Sequence, residues 1–107
     1  MNPDAHRLAE HACRAWARFA RALSYKRKYP RAEFGEFFKA VKSYAKATAG
    51  ELTLHKEVAA HVHCLREYLA HERKRVPGRI LFDADRLECI LFAGYDPEFH
   101  GDEPPGL

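Results

Sequence analysis

Side chains with metal-ligating or acid–base chemistry crowd into one stretch, LHKEVAAHVHCLREYLAHERKRV, residues 54–76: His55, Glu57, His61, His63, Cys64, Glu67 and His71. Imidazole and thiolate suit zinc, and ligands one helical turn apart can share an ion. The metal candidates are His61, Cys64 and His71. Spacing limits them. Cys64 and His71 are two turns apart, roughly 10 Å along a helix axis, too far to hold one ion readily. His61 and Cys64, three apart, make a better pair. They need further ligands from another helix, where His6, His11 and Cys13 are available. A di-iron carboxylate site wants Glu-x-x-His on two helices, whereas Glu57–His61 and Glu67–His71 are both four apart. Cys64 beside His61 or His71 has the elements of a nucleophile and base. Catalysis also needs a lowered thiol pKa, an orienting group and an oxyanion site, and no motif supplies them. No phosphate-cradling glycine loop, GxSxG or HExxH occurs. The expectation is therefore a non-enzyme with no catalytic residues and no cofactor, zinc or iron being the lesser reading.

A second set of side chains could hold an anion. Arg7, Arg14, Arg18 and Arg21 lie within about 60° of one another on a helical wheel. The ridge runs into SYKRKYPR, residues 24–31, where basic residues alternate with tyrosines. Arg14, Arg18, Arg21, Tyr25, Lys26, Arg27, Lys28, Tyr29 and Arg31 are the candidate contacts to an acidic partner or a nucleic acid. Cations would neutralise phosphates and tyrosines would stack bases. The plainer reading is a solvated face followed by a basic turn, and no zinc finger, RNA-recognition signature or basic zipper accompanies it.

These side chains are positioned by helices. In the stretch that holds the histidines, Val58, Val62, Leu65, Leu69 and Val76 form one apolar stripe. Glu57, His61, Cys64, Tyr68 and His71 flank it. Lys56, Glu67 and Lys74 face solvent. Thr53 is the expected N-cap, Pro77-Gly78 the stop, and Arg73, Lys74 and Arg75 suit the negative helix end. A first helix runs from Asn2-Pro3 to about Lys28, with Leu8, Ala12, Ala15, Phe19, Ala22 and Leu23 inward and Trp16 at the edge. A second starts at Pro30 and runs to about Thr48, with Phe34, Phe38, Val41, Ala45 and Thr48 on one face, Phe37 and Tyr44 beside them, and Lys39, Lys42 and Lys46 on another. Gly50 ends it in a left-handed conformation. The short connection that follows makes the second and third helices antiparallel neighbours. Asp83 caps a fourth helix, Ala84 to Ala93, stopped by Gly94, with the apolar run from Arg79 to Phe82 extended or leading in. Phe92 lies off its main stripe and suggests contact with another subunit.

The totals agree with a helical domain. The chain has 107 residues, 47% hydrophobic, with seven Phe and five Tyr, enough for one core. No run approaches the roughly 18–20 apolar residues of a membrane span. The start lacks a signal pattern, and three widely spaced cysteines argue against a disulfide framework, so a cytoplasmic location is expected. Net charge is +3 but uneven: residues 1–31 carry +6 and residues 79–107 carry −5. The expected architecture is all-α, a bundle of three long helices and a short C-terminal one. Residues 1–94 form a single domain, and 95–107 an irregular acidic Pro/Gly-rich tail that could cover the basic ridge. The expected function is a regulatory or accessory interaction module that binds a protein through charged helix faces. Nucleic-acid binding and metal binding are the alternatives, and a homodimer is an expected assembly.

Overall fold

A computed structural model describes residues 3–25, 28–71 and 76–97. These residues are all-α: helix α1 spans Pro3–Tyr25, α2 Arg31–Ala47, α3 Lys56–Ala70 and α4 Gly78–Glu88, and a π-helical turn over Cys89–Ala93 continues α4. No helix among them is long and apolar enough to cross a membrane. Expectations placed on Asn2, Lys26, Arg27, Arg73, Lys74, Arg75 and residues 98–107 lie outside the described residues.

The core is set by small residues on α1 and aromatic ones on α2. Ala5, Ala9, Ala12 and Ala15 are buried along one side of α1. With no side chain beyond Cβ, they let α2 come close, and α1 and α2 make the most extensive helix contact. Trp16 meets Phe37 edge-on with centroids 5.2 Å apart, and Phe19 meets Phe34 at 5.4 Å. The rising positions on α1 meet falling ones on α2, so the two helices form an antiparallel hairpin. Against α3 the order is the same on both helices: His6 lies near His55 and Trp16 near Tyr68. Helices α1 and α3 are therefore parallel. Val58, Val62, Leu65 and Leu69 are buried as the stripe predicts, and Val76 and Leu54 pack against the core as half-buried residues.

Several expectations change. Helices α2 and α3 run in opposite directions, but α3 packs mainly on α4 and α1 and has little close backbone approach to α2. The loop over residues 48–55 carries the chain across instead of turning it back alongside. Thr53 does not cap α3. The N-cap is His55, and its backbone N–H donates to the Tyr44 hydroxyl at 2.6 Å. A buried side chain of α2 thus fixes where α3 begins. Asp83 is not a cap either. Helix α4 starts at Gly78, after Pro77, and Asp83 lies inside it, paired with Arg79 at 3.3 Å and Arg86 at 3.0 Å. The reason is the stripe Ile80, Ala84, Leu87, buried at spacings of four and three, which draws the apolar lead-in into the helix.

The C-terminal part is held by Arg86. Its guanidinium takes Asp96 through two hydrogen bonds, takes Asp83 on α4, and lies over the Phe38 ring of α2 at 4.8 Å. Phe38, expected to face the core, is instead a half-buried platform for this cation. Gly50 and Gly94 have φ of +82° and +79°, the left-handed conformations expected of them. Beyond Gly94, the Tyr95 N–H returns to the Cys89 carbonyl at 3.3 Å and closes the π turn.

Candidate functional site

The basic residues of α1 and α2 converge. Arg7, His11, Arg14 and Arg18 from α1 and Lys39 from α2 line an open groove of about 660 Å³ between the two helices, with Glu36, Leu8, Ala40 and Ser43 completing it. The hairpin accounts for this. A close α1–α2 seam leaves the flanking positions of both helices on one outer side, and those are the arginine ridge and Lys39. The ion pairs within the groove are long and exposed. Arg18 is 3.6 Å from Glu36 and Arg14 is 3.8 Å from Glu10. Exposed pairs of this kind contribute about 0–1 kcal/mol, so an anionic partner can displace them. The Arg7–Asp4 pair, at 4.0 Å, is looser still.

The remaining sequence candidates are spread along and past the end of α1. Arg21, Lys28 and Arg31 are exposed, and Tyr25 is 66% exposed. Tyr29 is half-buried, its ring 6.3 Å from Phe19, and packs against the core as well as bordering the basic corner. Sequence reasoning set His11 aside for a metal and assigned Lys39 only to a separate cationic face. The lysine spacing on α2 was the available signal, but its meeting with the arginine ridge depends on how the hairpin packs.

A second cluster lies on the α1–α3 seam. The ligating atoms of Cys13, Glu57 and His61 all fall within 4.8 Å of one another. His61 Nε2 is 3.7 Å from a Glu57 oxygen one turn earlier on α3. The His61 ring stacks on Trp16, with centroids 4.8 Å apart and planes 21° from parallel. Burial pushes the His61 imidazole below its ordinary pKa, against the pull of the Glu57 carboxylate. The Cys13 thiol is pushed up to about 11, first by burial, then by its hydrogen bond to Glu57 and by the charges of Glu57 and Glu10. It is a protonated donor at neutral pH and not an activated nucleophile.

This geometry replaces the expected metal set. Among the described residues His61 converges with Cys13 and Glu57, and Cys64 and His71 are not part of the cluster. Cys64 follows His61 by three residues, a rotation that carries it out to an exposed position. His71 is the C-cap of α3, roughly 15 Å along the axis from His61. Cys13 had been visible in the sequence only as one of several donors on another helix.

Comparisons with protein-family models, curated proteins and solved structures find no match to this chain.

Proposed function

We propose that the protein is a non-enzymatic helical interaction module whose α1–α2 groove takes an acidic segment of a protein partner. The observation that carries this reading is the meeting of Arg7, Arg14, Arg18 and Lys39 around one open groove. Guanidinium groups offer forked donors that match carboxylates in pairs, and their present partners are weakly held. Leu8 and Ala40 give the floor an apolar strip for the stem of a Glu or the side of a peptide. Glu36, Glu10 and Asp4 beside the cations favour a short acidic segment over a long, uniformly charged strand.

Nucleic-acid binding is the second reading, favoured by one observation. Tyr25 is exposed at the end of the same helix, near the exposed Lys28 and Arg31, which is an arrangement for stacking an unpaired base.

The test is fluorescence anisotropy with a labelled Glu/Asp-rich peptide and a labelled single-stranded oligonucleotide, each at low and moderate salt. The expected result is salt-sensitive peptide binding that Arg14→Glu, Arg18→Glu protein loses while Tyr25→Ala protein keeps. Tighter binding of the oligonucleotide, lost in Tyr25→Ala, would move the function to nucleic acid. Peptide affinity unchanged by the double charge reversal overturns the groove reading. Light scattering on the same samples gives the mass of the free protein and so tests the expected homodimer.

A further inference from the structure

We infer that Cys13, Glu57 and His61 form a zinc-binding site that ties α1 to α3. The three side chains come from two helices 44 residues apart in sequence between Cys13 and Glu57, yet their donor atoms share a space 4.8 Å across. The parallel course of α1 and α3 brings them level. The i, i+4 spacing of Glu57 and His61 then turns both toward the thiol.

The distances suit a tetrahedral ion. Zinc bonds of about 2.0–2.3 Å require ligand atoms roughly 3.3–3.8 Å apart. The His61–Glu57 separation of 3.7 Å already meets that. The remaining closure, of about 1 Å, falls to Glu57, whose side chain is 61% exposed and free to turn. His61 needs no such freedom, since Trp16 holds its ring from one face. A thiolate, an imidazole and a carboxylate form a mixed soft and borderline set, which selects zinc over the hard cations calcium and magnesium. Three protein ligands leave a fourth position for water. Glu10 lies close enough for its charge to act on Cys13, and it also holds His6 at 2.8 Å.

Binding balances as an exchange. The Cys13 S–H bond breaks, a sulfur–zinc bond forms from the sulfur lone pair, and one proton leaves to solvent, with no change of oxidation state. In the absence of metal the thiol keeps that proton and donates it to Glu57, which explains why the same three groups stay together. The site is separate from the basic groove and does not rest on the function proposed for it.

The experiment is a cobalt(II) titration of the reduced, tag-free full chain, followed by zinc displacement. Cobalt reports its ligands optically: a thiolate gives a near-ultraviolet charge-transfer band, and tetrahedral geometry gives strong visible bands. The expected result is one equivalent of cobalt with both signatures, bleached by zinc. The charge-transfer band should vanish in Cys13→Ser and persist in Cys64→Ser, Cys89→Ser. Glu57→Gln, a change at an exposed position that leaves the fold intact, should weaken zinc affinity at least tenfold and reduce the zinc-induced rise in Tm. Arg14→Glu, Arg18→Glu should leave all of this unchanged. A titration without a charge-transfer band, a band that survives Cys13→Ser, or equal affinity in Glu57→Gln overturns the proposal and leaves a hydrogen-bonded trio alone.

Discussion

Arg86 grips Asp96 with two parallel hydrogen bonds, Nε to Oδ1 at 2.9 Å and Nη2 to Oδ2 at 2.6 Å. Both side chains are almost wholly buried, at 11% and 8% exposure. Removing one partner of such a pair strands the other charge away from water. Asp96→Ala should therefore cost about 3 kcal/mol of unfolding free energy in urea titrations. Adding Arg86→Met should recover part of that loss, because the stranded cation is then gone. A loss under about 1 kcal/mol would show the pair to be as weak as a surface one.

The Tyr44 hydroxyl and the His55 N–H link α2 to the start of α3. Tyr44→Phe keeps the buried ring and removes only the acceptor. It should cost about 1–2 kcal/mol. Hydrogen exchange should show faster opening of the first turn of α3 and little change in α1.

Alanine should act with opposite signs at different glycines. Gly50 and Gly94 sit at positive φ, and a new Cβ would meet nothing within 4 Å at either. The effect there is backbone strain alone, about 1 kcal/mol of destabilisation for each Ala substitution. Gly35 lies inside α2 with equally open surroundings. Gly35→Ala should stabilise by about 0.5–1 kcal/mol. Thermal melts of the three single variants decide the matter.

The thiols of the metal-free protein should differ in reactivity. At pH 8 a thiol with pKa about 11 is ionised only to the order of one part in a thousand, whereas one at the ordinary value of about 8.5 is roughly a quarter ionised. Cys64 is exposed. Peptide mapping after brief alkylation should find Cys64 labelled first and Cys13 last. Glu57→Gln removes both the hydrogen-bonding carboxylate and its charge, so it should speed labelling at Cys13 and leave Cys64 unchanged.

Much of the helical layout was legible because periodicity is local. The Val58, Val62, Leu65, Leu69 stripe, the ends at Gly50 and Gly94 and the arginine ridge follow from residues within a turn or two of each other. The errors are of two kinds. Asp83 looked like a cap because its residue type suits one, and the preceding apolar run hid the stripe Ile80, Ala84, Leu87. Thr53 failed similarly, since a tyrosine eleven residues before His55 supplies the acceptor. The second kind concerns which faces meet. Cys13 with Glu57, Lys39 with the arginines and Arg86 with Phe38 are contacts between helices. They depend on crossing geometry, for which a single helical wheel carries no signal. The stretch richest in ligands supplied half of the clustered set, and the sulfur came from a helix whose pattern reads mainly as alanine packing.

The π turn over Cys89–Ala93 makes its neighbourhood unusually sensitive to length. A π turn accommodates one more residue than an α turn. Deleting a single residue between positions 89 and 93 would let the helix relax to regular winding, and everything after it would swing by about 100°. Asp96 would then leave Arg86, and Phe92, now 48% exposed, would be re-aimed. Point substitutions there should be tolerated far better than a change of frame. The segment acts as a spacer whose count matters more than its spelling.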